Sequence, residues 1–142
     1  MPTLFTKIIE GDIPGRFVWR QDDVVAFLTI NPIAPGHALV VPVAEVDHWV
    51  DLDPAVAVRC FEVAQVIGRA QMAAFSPTRI GLIIAGLEVP HTHLHLIPID
   101  SEGDLSFAKA DPDPAQEALD ESADRLRAAL RAAGHGTAVP RD

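Results

Sequence analysis

The stretch His91–Thr92–His93–Leu94–His95–Leu96–Ile97–Pro98 limits what this chain can be more than any other. It holds three of the six histidines at alternate positions, with threonine or apolar residues between and after them. Successive side chains of an extended strand point to opposite faces, so the spacing predicts a strand with all three imidazoles on one side. Neighbouring rings would stand roughly 7 Å apart, twice a rise of about 3.3 Å per residue. Thr92, Leu94 and Leu96 would pack the other face onto a core. Imidazoles side by side each need water or a partner, so the row reads as a site that titrates near neutrality rather than as plain packing. Three histidines can also hold a catalytic zinc, which leaves a metal-dependent hydrolase open beside metal-free histidine chemistry.

The rest of the chain can supply a core around that strand. It has 142 residues, 49% of them hydrophobic, which fits one folded domain and excludes a disordered chain. The formal charge of −9 argues against a surface for DNA or RNA. A small phosphorylated ligand stays compatible, because local donors can outweigh the global field. No apolar run approaches the roughly 20 residues that span a bilayer, and Met1–Leu4 has no signal-peptide pattern. The single cysteine, Cys60, cannot form an internal disulfide. A cytoplasmic protein is expected, with Cys60 a small buried residue rather than a nucleophile.

Residues 4–10 predict one or two helical turns before Gly11 and Pro14. Phe17–Arg20 and Val24–Leu28 read as short strands around a turn at Gln21–Asp23, and His37–Val41 as a third beyond the Asn31–Gly36 loop. Trp19 and Trp49 read as packing residues. Asp53–Pro54 is a capped helix start, and Val56, Cys60, Val63, Ile67, Ala70 and Ala74 carry the helix to about Phe75. Ile80–Ala85 is an apolar strand expected at the centre of the sheet. After the linker-like Asp111–Pro114, a stripe of Leu119, Ala123, Leu126, Leu130 and Ala133 predicts an amphipathic helix stopped by Gly134. It would dock on its own domain or on a partner subunit, and His135 and the last six or so residues would be solvated and mobile. Short strands with one long helix inserted and another at the end predict an α+β domain with a mainly antiparallel, five-stranded sheet.

The His-x-His-x-His-apolar-apolar pattern resembles the signature of the histidine triad (HIT) superfamily of nucleotide hydrolases and transferases. Phe5–Pro14 resembles the family's opening, and Val24–Pro32 with Ala34–Pro42 its central hairpin, so the likeness runs through residues 4 to 100. It implies a HIT-like domain over residues 1–106, with 107–142 added as linker, helix and tail of the same domain. The implied reaction is attack by a histidine on the α-phosphorus of a nucleotide, with a phosphoanhydride or phosphoramidate bond cleaved through a nucleotidyl-histidine intermediate. Carried over by position, His93 is the nucleophile, and His91 and His95 position it, contact phosphate oxygens and pass a proton. His37 pairs with them in a relay. Phe5, Thr29, Ile30, Leu87 and Glu88 fall at nucleotide-binding positions, and a homodimer is the implied assembly.

Several positions depart from that pattern. Thr3 and Thr6 stand where many bacterial relatives carry a zinc-binding Cys-x-x-Cys, and hydroxyls are poor zinc ligands, so neither metal nor cofactor is expected. Thr29 replaces an acidic residue that grips the ribose. Gly86–Leu87–Glu88–Val89 replaces a polar stretch that donates hydrogen bonds to phosphate, which puts an acid where an anion is expected. The triad is kept while the nucleotide grip is altered, so a nucleotide-binding protein without turnover is the alternative to an enzyme.

Overall fold

The computed structural model describes residues 1–141. Thr3 caps the first helix, α1 (Leu4–Glu10), its hydroxyl accepting from the Thr6 N–H at 3.1 Å. Strands β1 (Phe17–Arg20), β2 (Val24–Leu28) and β3 (Ala38–Pro42) follow, then helix α2 (Pro54–Phe75), β4 (Arg79–Ile83), β5 (Leu94–Ile99) and helix α3 (Gln116–Ala132). The five strands form one sheet in the order β1-β2-β3-β5-β4, with every neighbouring pair antiparallel. The single α+β domain of the sequence reading is therefore the fold observed.

The two faces of the sheet bury different material. Val24, Ala26, Leu28, Ala38, Val40, Leu94 and Leu96 pack with Cys60, Val63 and Ile67 of α2 and with Ala123, Leu126 and Leu130 of α3. The opposite face carries a smaller, more aromatic cluster of Phe5, Ile8, Phe17, Val25, Phe27, Leu39 and Val41. Alternation along the strands sorts the residues between these faces. Asp53 and Pro54 start α2 as expected, the Asp53 carboxylate accepting from the Ala55 N–H at 2.9 Å.

Four expectations need correction. β4 is an edge strand, not a central one; Ile80 and Leu82 face α2, with Leu82 40% exposed, while Gly81, on the alternate face, lies against Leu105. α3 docks on its own domain, and residues 133–141 are not a loose tail: Ala138 and Val139 are buried in the main core, and Asp142 lies outside the described residues. His135 lies against the Trp19 ring, 5.6 Å between centroids, rather than in solvent. Trp19 is a packing residue, but Trp49 is half-exposed in a short 3-10 turn. Such tail contacts follow no periodic pattern that a sequence could display.

Candidate active site

Only the last histidine of the triad lies within a strand. β5 begins at Leu94, so His91, Thr92 and His93 approach it as irregular chain. The Thr92 N–H and hydroxyl both donate to the Val46 carbonyl, at 2.7 and 2.8 Å, and the His91 N–H donates to that of Val89. This bent approach replaces the row of rings expected about 7 Å apart. His93 and His95 stand edge to face with centroids 4.8 Å apart, while His91 turns into the interior and is fully buried.

Fixed donors and acceptors set the protonation of each ring. His93 Nδ1 lies 2.7 Å from the His91 carbonyl, which can only accept, so Nδ1 carries the proton and Nε2 keeps its lone pair. His91 Nε2 likewise donates to the Pro42 carbonyl at 2.7 Å, and its Nδ1 accepts from the Thr3 hydroxyl at 2.7 Å. The Ile33 N–H donates to His37 Nδ1 at 3.0 Å, so His37 Nε2–H points to His95 Nδ1, also at 3.0 Å. His95 then carries its proton on Nε2. Of the three triad rings, His93 alone has an uncommitted lone pair and His95 an uncommitted N–H. His91 has neither, so it cannot contact phosphate oxygens as its position in the motif implied; its ring anchors the approach loop, and its carbonyl orients His93.

The same burial favours the neutral form of His37, His93 and His95. Desolvation, with smaller effects of the neighbouring histidines, pushes His37 down to about 3. It lowers His95 to about 4 and lowers His93 as well, although the His91 carbonyl works against the shift in His93. A neutral ring with a free Nε2 lone pair is the nucleophilic form of imidazole. Burial also raises the Cys60 thiol to about 11, consistent with an inert core residue.

The residues at nucleotide-binding positions are distributed unevenly around these rings. Phe5 lies edge-on to His93 with centroids 4.8 Å apart and also borders His91. Ile30 is 68% exposed and Leu87 95% exposed. The Thr29 hydroxyl is turned to its own loop, accepting from the Asn31 N–H at 3.2 Å. Glu88 is exposed, and its charge acts on His93 in the direction opposite to burial. One neighbour was missed from sequence: Phe107, 48% exposed, stands edge-on to His95 at 4.9 Å. Its segment is tied back where the Asp111 N–H donates to the Pro32 carbonyl and the Asn31 amide to that of Asp111. A lone phenylalanine in a polar stretch gave no signal for this.

An antiparallel α+β sheet with a lone-pair imidazole beside a paired, neutral histidine dyad defines a class of histidine-based sites. The chain matches the HIT domain family over residues 10–102. It is 34% identical over 106 residues to Protein hit of Bacillus subtilis, covering 71% of this chain and 73% of that protein. Against the bis(5'-nucleosyl)-tetraphosphatase [asymmetrical] of Schizosaccharomyces pombe it is 37% identical over 116 residues, covering 74% of this chain and 61% of that one. A Zn-bound histidine triad family protein from Mycobacterium smegmatis superimposes with a TM-score of 0.79 at 29% identity, covering 92% and 94% of the two chains. This chain belongs to the HIT family, some of whose members are named as nucleotide hydrolases.

Proposed function

We propose that this protein is a nucleotidyl hydrolase or transferase that works through a covalent intermediate on His93. The observation that carries the reading is the His93 Nδ1–H···O=C bond to His91, which leaves Nε2 as the attacking atom. His93 Nε2 attacks the α-phosphorus, forming a P–N bond as the bond to the leaving group breaks. His95 Nε2–H gives a hydrogen bond to the charge that develops there, and His37 holds His95 in that tautomer. Because His37 and His95 stay neutral down to about 3 and about 4, the pair donates a hydrogen bond rather than a full proton. The leaving group departs as an anion or takes its proton from water. A second water then attacks phosphorus, the P–N bond breaks, a proton is released and a nucleoside monophosphate leaves.

The metal-dependent reading fares worse on geometry. A catalytic metal needs several lone pairs converging on one point, whereas of the three triad rings His93 alone offers one. A structural zinc at the position of Thr3 and Thr6 also finds poor partners here: the Thr3 hydroxyl is engaged with His91 Nδ1, and threonine oxygens are weak zinc ligands. No step is assigned to a metal.

A homodimer is part of the same proposal. Val58, Phe61 and Met72 on the outer side of α2 and Leu82 on edge strand β4 are exposed apolar side chains, and Phe61, Met72 and Leu82 line one groove. Light scattering at micromolar concentration should give twice the chain mass; a monomer there would remove this part. A cytoplasmic setting fits the free, buried Cys60.

The test of the reaction is a panel of nucleoside phosphoramidates and dinucleoside polyphosphates, quenched in the first turnover. A nucleotidyl-histidine adduct and a burst of leaving group are expected, unaffected by chelators. Binding of nucleotide without adduct or turnover would instead identify a non-catalytic nucleotide-binding protein.

A further inference from the structure

Gln71 sits fully buried on a face of α2 otherwise made of Cys60, Val63, Ala64, Ile67 and Ala70. Its Nε2 donates to two main-chain carbonyls on different strands, Gly36 at 2.8 Å and Leu96 at 2.9 Å. Its Oε1 meets no donor among the described residues. An apolar side chain of the same size would fill this place without burying an unsatisfied oxygen, so the residue's value lies in its N–H donors.

The need for those donors follows from the ladder. β3 and β5 pair Ala38 with Leu96, Leu39 with His95 and Val40 with Leu94, each pair of numbers summing to 134. The same register carried two residues further sets Gly36 against Pro98. The His37 carbonyl faces β2, where it accepts from the Thr29 N–H at 3.3 Å. Carbonyls alternate along a strand, so that of Gly36 faces β5, where proline has no N–H to give. The chain is also held tightly there: Gly36 has φ +87°, and a Cβ on it would come within 2.3 Å of the Phe75 ring. The two carbonyls that Gln71 joins belong to the peptide leading into His37 and to the residue following His95.

We propose that Gln71 is a positioning residue, replacing the ladder donor that Pro98 removes and thereby holding His37 in reach of His95. The inference rests on the reading of that pair as part of the reacting site. It reaches beyond that reading in assigning a role to the helix on the far side of the sheet. A volume-conserving Gln71→Met loses both donors. Nitrogen-15 NMR of the histidine rings should then show His95 losing its single tautomer. With a turned-over nucleotide, kcat should fall by about ten- to a hundredfold at nearly constant KM, the scale of a small misplacement. Pro98→Ala restores a ladder N–H, so Gln71→Met/Pro98→Ala should recover the tautomer and most of the rate. Gln71→Glu, which has the same length but one O–H when neutral, should fold and show a partial loss.

The NMR arm needs no turnover, so an inactive native protein would fail the proposed reaction while still deciding the role of Gln71. The proposal is overturned if Gln71→Met and Gln71→Glu keep the native tautomers and rate. It is overturned equally if they lower thermal stability alone, or if Pro98→Ala brings no recovery.

Discussion

The two faces of the sheet are built on opposite rules. The face under α2 and α3 is a large, mainly aliphatic layer that also buries the long polar side chains of Gln71 and Arg127. The other face lies under the seven-residue α1 and gathers aromatic rings and four histidines within a thin cover. The first supplies most of the burial that holds the fold. The second spends little on packing and uses its few fixed donors and carbonyls to choose tautomers. Stability and chemistry are thus largely separated by one layer of backbone. Apart from Gln71, which reaches from one face to carbonyls beside the other's histidines, changes on one face should leave the other's property largely intact.

The largest expected effect lies on the histidine face. His93→Ala should lower turnover by about 10⁴-fold or more, since none of His37, His91 and His95 offers another free lone pair, while the melting temperature changes little. Retention of near-native rates would end the assignment of His93 as nucleophile.

On the helix face, Ile67→Ala removes a fully buried side chain between α2 and the sheet. It should destabilise the protein by about 2–5 kcal/mol in denaturant titrations, with kcat per folded molecule close to native. A parallel collapse of kcat would show that the two faces are not separable.

Acid should act through the histidine face. His37 and His95 have folded-state values near 3 and 4, below the ordinary 6.5, so the unfolded chain takes up protons first. Their contribution to stability is complete above pH 6.5 and is lost as pH falls towards 4 and then 3. Each ring should add a slope of about 1.4 kcal/mol per pH unit inside its window. His37→Gln should reduce the measured slope between pH 6 and 4, whereas Ile67→Ala should shift the curve without changing it. An unaltered slope in His37→Gln would mean that His37 is not held neutral by the fold.

Thr3→Val removes both the cap of α1 and the donor to His91 Nδ1. A loss of about 0.5–2 kcal/mol is expected, with faster hydrogen exchange confined to α1. Uniform exchange across the sheet would argue that the cap is not local.

The smallest change is Glu88→Gln. Removing an exposed charge that acts on His93 should tighten nucleoside monophosphate binding about two- to fivefold in calorimetry, more at low salt. Unchanged affinity would mean that the acid in this loop does not set the preference for anions.

Much of the fold was legible because it rests on local rules. The strand at Val24–Leu28, the capped start of α2 at Asp53–Pro54 and the buried stripe of α3 follow from side-chain periodicity and capping alone. Alternation also selected His93 and His95 as neighbours. It misled at His91, because the approach to β5 is fastened to Val46 and Val89 rather than to a strand. The edge position of β4 was equally hidden, since an apolar run reads the same under a helix or at an uncovered rim.

What the sequence by itself determined is the set of elements and the chemical identity of the site: periodicity, caps and the spacing of three imidazoles are properties of adjacent residues. Tertiary structure alone decided the tautomers, which leave a lone pair uncommitted on His93. A histidine's tautomer depends on what its other nitrogen meets, and the partners here come from far along the chain: Thr3 and Pro42 for His91, and His37 for His95. Those hydrogen bonds exist only after the sheet has closed, and no local pattern encodes them.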